Sequence, residues 1–362
     1  MNSVALQQQA WSYFLPNHRR STKLFGGALL ALALLCLSLP VQANANTQPL
    51  FESAEPLQLE LLVDTRAVRR LKPDEEIPGQ LVLTTKTGEQ TFSVNVSPRG
   101  KSRLRECKFP PLWLNFKKSE VADTLFDNQN KVKLVTHCTR SFAKQGFIAA
   151  ELLVYQLQNI IEPESLRTRA ASMVYRYNKS EDTQPVFFIE HKKRFAAENN
   201  LQIIDNQRPA IESLHPAKAA RAALFQYMVG NTDFSFVQGP AADDCCHNVV
   251  PMQAPGTNHI IPILYDFDAT GLVNVPYVTP NPDIGITQLT QRRYRGYCDH
   301  NSALETARSE FLAKESQIMA AVENFQSLPG LKTKRISKYL TRFFDTLRND
   351  RSFTSKLVKK CR

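Results

Sequence analysis

From Leu57 onward apolar and polar positions alternate, and that alternation defines the first half of the chain. "LQLEL" and "TFSVNV" each put every second side chain on one face, and the turn "KTGE" lies between these neighbouring runs, which predicts paired strands. "LWLNF" and "KVKLV" read as two further short strands. The period then lengthens over "FIAAELLVYQLQNII", where Ile148, Leu152 and Tyr155 recur at helical spacing until Pro163 stops the pattern. "RTRAASMVYRY" and "PVFFIEH" return to strand character.

Beyond about residue 192 the pattern becomes mostly helical. "AKAARAALFQYMVG" places Ala220, Leu224, Tyr227 and Met228 on one face and ends at Gly230, a natural helix stop. Two helical stretches near 303–326 and 332–360 finish the chain, divided by "SLPG". Strands first and helices afterwards predict an α+β fold rather than a doubly wound sheet. No internal repeat or long low-complexity segment interrupts this order.

Residues 1–45 stand apart. They hold no acidic residue, set Arg19, Arg20 and Lys23 ahead of "LFGGALLALALLCLSLPV", and close on "ANA". That order predicts a secretory signal cleaved after Ala45, the apolar run being short for a membrane anchor. Residues 46–56 are polar and expected to be loose. Removing the three leader cations from 45 basic residues leaves 42 against 34 acidic ones, a net charge of +8. A modest excess spread along the chain favours anionic partners such as nucleotides or envelope polymers, and forms no nucleic-acid stripe. Of seven cysteines, Cys36 lies in the leader and six remain. An even number behind an export signal predicts disulfides, with connectivity open, and "DDCCH" has no zinc-ligand spacing.

Three stretches of the second half carry candidate chemistry. Asp233 follows a helix end in "GNTDFS"; Asn248 precedes an apolar pair in "HNVV"; Asp266 and Asp268 end the strand "HIIPILY". Two carboxylates at a buried strand end repel unless a cation or donor neutralises them. Magnesium takes hard oxygen ligands, commonly one or two carboxylates with substrate phosphates. An Asp, an Asn and a strand-end Asp in this order form the set used in phosphoryl transfer. One orients the accepting hydroxyl and the others hold metal against phosphate.

On "PRGKSR", "KFPPLWLNF", "KVKLVTHC" and "FIAAELLVYQL", followed by "HNVVPM" and "IPILYDFDATG", the chain resembles the CotH-type spore-coat kinase family. The resemblance runs as scattered motifs from about Ser97 to Gly271. It implies an atypical protein-kinase-like fold of two lobes, a strand-rich lobe over 57–192 with one helix and a helical lobe over 193–362. It implies magnesium (or manganese) and ATP as cofactors, and a protein or envelope hydroxyl as acceptor. Asp233 would be the catalytic aspartate, and Asn248, Asp266 and Asp268 the metal ligands. Arg99 and Ser102 would lie near the phosphates, Lys108 or Lys133 would pair with them, Glu151 would position that lysine, and Glu190 would lie near the adenine. The chain departs from the family's pattern in the long insert "FSFVQGPAADDCC" and in having no "GxGxxG" loop.

Other readings compete. A non-catalytic envelope module could keep the scaffold for binding alone. Metal-assisted hydrolysis could use Asp233, Asp266 and Asp268, with His247 and His259 nearby. "RRYRGYC" could grip an anionic substrate or pair internally. The basic, amphipathic C-terminal segment could touch a membrane surface, but is expected to pack its Leu and Phe face onto the protein.

Overall fold

Alternation and register together close the first half into a barrel. The computed structural model describes residues 48–139, 141, 146–204, 208–239 and 245–362, so the leader lies outside the described residues. Seven strands, β1 (Leu57–Leu62), β2 (Ile77–Thr85), β3 (Gly88–Pro98), β4 (Leu112–Phe116), β5 (Lys131–Val135), β6 (Thr168–Tyr177) and β7 (Ser180–Ile189), close in the order β1-β2-β3-β4-β5-β7-β6. Closure comes from a parallel pairing of β1 with β6, Leu57 opposite Ala171, while the other pairings are antiparallel. One alternate row, including Leu59, Leu81, Phe92, Leu114, Val132, Met173 and Phe188, fills the interior. The segment expected to be loose is anchored there instead, since Leu50 and Phe51 are buried in the same core. Three short helical segments, α1 (Thr65–Val68), α2 (Ser102–Glu106) and α3 (Lys118–Val121), decorate the barrel, where a single helix was expected.

The outward row builds a second core. Val135 of β5 and Phe187 and Ile189 of β7 pack against α4 (Phe147–Ile161), which is why "PVFFI" is apolar on both faces. Beyond α5 (Lys192–Glu198) and α6 (Pro216–Val229), a three-stranded sheet of β8 (Gln202–Ile203), β9 (Val249–Gln253) and β10 (Ile260–Leu264) joins that core. The C-terminal helices are α7 (Asn301–Ala313), α8 (Glu315–Glu323), α9 (Thr333–Arg348) and α10 (Asp350–Lys356), so each expected long helix is broken, at Lys314 and at Asn349. Ile336, Leu340, Phe343, Phe344 and Leu347 of α9 are buried, the packing face the sequence predicts. Among the described residues no helix is long and apolar enough to cross a membrane.

The six cysteines among the described residues pair, as Cys107–Cys138, Cys245–Cys246 and Cys298–Cys361, which suits an oxidising compartment. The first closes a 31-residue separation immediately after α2. Loop closure of that length stabilises by about 3–4 kcal/mol in the chain-entropy picture.

Candidate functional site

The register of β9 against β10 creates the site. Leu264 pairs with Val249, so Asn248 and Tyr265 leave the ladder together, joined by Tyr265 N–H donating to Asn248 O at 3.1 Å. Asp266 follows in the left-handed region (φ 63°), held by its N–H donating to Tyr155 Oη at 3.0 Å. Asp233 arrives from the end of α6. Gly230 caps that helix in the left-handed conformation (φ 68°), where a Cβ would collide with the Tyr339 hydroxyl. Backbone bonds from Gly271 to Gly230 and from Leu272 to Val229 tie this turn to the chain after Asp268. Asn248 Nδ2 then donates to Asp233 O at 2.7 Å and to Asp233 Oδ2 at 3.1 Å, and His247 Nε2 lies 2.8 Å from Oδ1.

The opposite wall belongs to the barrel. Trp113 and Lys133 face each other across β4 and β5, on the outward row that carries Val135 into the second core. Lys133 Nζ lies 5.8 Å from the Trp113 ring and 5.1 Å from the Tyr265 ring. The β3–β4 connection brings Arg99, Gly100, Lys101 and Ser102 to the rim. Together these elements enclose a cleft of ≈ 790 Å³ lined by Arg99, Ser102, Lys133, Asp233, Asn248, Asp266 and Asp268. Glu151 and Arg103 line a small adjoining cavity that shares Arg99, Ser102, Lys133, Asp266 and Asp268 with it.

Glu151, Asp266 and Asp268 therefore lie close to Arg99, Arg103 and Lys133. Burial pushes Glu151 up to about 7, with Arg103 opposing the shift. Burial and then the Asp268 charge push Asp266 up to about 6. Burial would raise Asp268 too, but Arg103 and the Tyr277 hydroxyl outweigh it and hold that carboxyl below its ordinary range. Burial, then repulsion from Arg99, lowers Lys133 to about 7. In the unfolded chain Lys133 would bind its proton up to its ordinary value of 10.5. Between pH 7 and 10 the unfolded state therefore holds more protons, and stability rises with pH in that window. Lys133→Met is thus expected to be the more stable chain at pH 7. Its advantage should shrink toward pH 10 by up to about 1.4 kcal/mol per pH unit, measured by urea unfolding of both chains.

Two expected participants lie elsewhere. Glu190 is fully buried at the end of β7. Its Oε2 accepts from the Arg167 N–H at 3.0 Å, its Oε1 from Arg167 Nη2 at 2.8 Å, and Gln48 also donates to it. That carboxylate is consumed by structure. Lys108 is exposed and does not line the cleft, so of the two expected lysines Lys133 is the one that faces it. Arg292 of the basic aromatic cluster is internal as well, donating to Met228 O and Tyr339 O and lying 3.6 Å over the Tyr339 ring. Arg103 and Tyr277, which sequence reasoning missed, complete the floor; their partner Asp268 is distant in sequence from Arg103.

Among the described residues no three His, Cys, Asp or Glu side chains stand close enough to hold a metal, which removes geometric support for the hydrolytic alternative. Magnesium asks for less: a carboxylate, an amide oxygen and phosphate oxygens suffice. Asp266 and Asn248, adjacent at the end of one ladder, fit that requirement. The Asp266 carboxylate accepts no side-chain hydrogen bond among the described residues, and the Asn248 amide spends its nitrogen on Asp233, leaving its oxygen available.

The chain matches no protein-family model and no curated protein. Among solved structures it is similar to the crystal structure of a Helicobacter pylori proinflammatory kinase, CtkA, at 10 % identity, over 69 % of this chain and 88 % of that one, with a TM-score of 0.35.

Proposed function

We propose that the protein is an exported, atypical kinase-like phosphotransferase that moves a phosphoryl group from ATP, or another phosphate donor, to a hydroxyl of a protein or envelope polymer. The observation that carries this reading is the convergence of Lys133, Glu151, Asp233, Asn248 and Asp266 on one cleft between the barrel and the second core. Protein kinases use the same residue types in the same chain order, a strand lysine, a glutamate on the next helix, a loop aspartate, an asparagine and a strand-end aspartate.

In this mechanism Lys133 and Arg99 neutralise phosphate oxygens across the cleft, and the Trp113 and Tyr265 rings fix where the Lys133 ammonium lies. Asn248 and Asp266 would hold magnesium, which supplies charge neutralisation for the transferring phosphoryl group. Asp233 accepts the proton of the acceptor hydroxyl; its two oxygens are already oriented by His247 and Asn248. The acceptor oxygen forms the new bond to phosphorus, and the bridging oxygen leaves with the electron pair of the bond that breaks.

A thermal-shift titration of the purified mature chain tests the reading. ATP with magnesium is expected to raise the melting temperature, by an amount equivalent to about 2.7 kcal/mol at a hundredfold excess over Kd, and ATP alone by less. No shift with any nucleotide, pyrophosphate or polyphosphate, with or without divalent cation, would remove the phosphotransferase and leave a non-catalytic envelope binding protein.

A further inference from the structure

The cleft offers more acid than one cation needs, and part of it is already neutralised from within. Arg103 Nη2 donates to Glu151 Oε2 at 2.5 Å and its Nε to Asp268 Oδ2 at 2.8 Å, with the three side chains only 8, 3 and 11 % exposed. Tyr277 Oη donates to the same Asp268 oxygen at 2.7 Å. The Ala269 N–H bonds to this carboxylate as well. Asp266, two residues earlier, lines the same cleft but differs in two respects. It is half-buried, and its carboxylate has no side-chain donor among the described residues.

A divalent ion bound at Asp268 would share the carboxylate with a buried guanidinium already bonded to its Oδ2. Two positive charges on the metal repel that guanidinium twice as strongly as a single charge would, in a space where water screens little. Protein kinases commonly place two metal ions against the phosphates, held by the strand-end aspartate and the asparagine. Here the guanidinium already brings positive charge to Glu151 and Asp268 together, in a fixed planar fork that a lysine could not reproduce.

We infer that Arg103 stands in for a second cation, so that the cleft takes one divalent ion, at Asp266 and Asn248, with Asp268 a positioning residue rather than a ligand. The inference rests on the phosphotransferase reading and refines it. Glu151 is then partnered by Arg103, which leaves Lys133 free for phosphate. The segment that carries Arg103 is pinned one turn later by the Cys107–Cys138 disulfide, which limits how far the guanidinium can withdraw.

The test counts manganese. Free Mn2+ is followed by electron paramagnetic resonance while it is titrated into the mature chain holding an equimolar non-hydrolysable ATP analogue. One Mn2+ per chain is expected for the wild type. Asp268→Asn should keep that one ion, with its Kd weakened by no more than the roughly 10–100-fold of an indirect partner, while Asp266→Asn should weaken it by more than about a hundredfold. Arg103→Met, if circular dichroism shows it folded, should take up a second ion. Two ions on the wild type, loss of the ion in Asp268→Asn, or a folded Arg103→Met chain that stops at one would each overturn the inference and leave nucleotide binding standing. Mn2+ held no more tightly than by the nucleotide alone in free solution would overturn both.

Discussion

Asp266→Asn is expected to abolish magnesium-dependent ATP binding, lowering affinity by at least about a hundredfold, because even an indirect partner of a metal ligand is worth 10–100-fold. The substitution is chosen for the backbone. Asp266 sits at φ 63°, a conformation Asn tolerates and most residues resist, so the turn after β10 should survive. Its effect on the free protein has a sign that can be worked out. The carboxyl is raised from 3.8 to about 6 by burial and by Asp268, so the folded state binds its proton more tightly than the unfolded chain does. Stability from this group is therefore present at acid pH and lost as pH rises through 6. At pH 7.5 the ionised carboxylate is a liability, and Asp266→Asn should raise the melting temperature of the free protein. By about pH 4, where Asp266 is protonated in the fold and partly so in the unfolded chain, the two chains should converge. A variant that is more stable yet deaf to ATP and magnesium is a combination that general damage cannot produce. An unchanged ATP shift in Asp266→Asn would remove this residue from the site.

Much of this arrangement was legible in local pattern. β4, β5 and α4 fall where alternation and helical spacing put them, and Gly230 stops α6 as predicted, because each is decided by neighbours a few residues away. Asp233, Asn248 and Asp266 could be singled out because each is a polar residue at the end of an apolar run, where it either caps or binds. What was not legible depends on partners far along the chain. Barrel closure joins β1 to β6, parallel strands with no turn between them to announce the pairing. The apolar runs of β9 and β10 read as strands, but their pairing did not, since it sets Pro251 opposite Pro262 in register. Glu190 follows an apolar strand and reads as a rim residue, yet the pairing of Thr168 with Ile189 brings Arg167 beside it and buries it. Lys133 could have been separated from Lys108 by strand parity, since it shares the outward row of β5 with Val135. Arg103 could not have been found that way: the Asp268 it meets is 165 residues on.

Arg103→Met should cost roughly 3–5 kcal/mol of stability at pH 8, the range for removing one partner of a buried ion pair and leaving the other charged groups behind. Here two carboxylates are left, Glu151 and Asp268, with Tyr277 alone still donating a side-chain hydrogen bond to one of them. The loss should depend on pH in a defined direction. Asp268 is held below its ordinary value in the wild type, so its contribution is present above pH 3.8 and fades as pH falls below that. Glu151 already sits at about 7 with its arginine in place, and without that cation its carboxyl must rise further. Below that value Glu151 is neutral in the variant and no longer an uncompensated buried charge. The gap between wild type and Arg103→Met, read from urea midpoints at matched m-values, should therefore be widest at pH 8, narrow through pH 7, and level off by pH 5, where Glu151 is neutral in both chains. Adding Glu151→Gln to Arg103→Met should recover part of the loss at pH 8 and little at pH 5, because the second change removes the charge that the first one stranded. A gap below about 1 kcal/mol at pH 8, the level of an exposed pair, would mean that water reaches the triad. A gap independent of pH would mean that the arginine acts by packing alone. Either result would take Arg103 out of the electrostatics that prepare Asp266 for its ion.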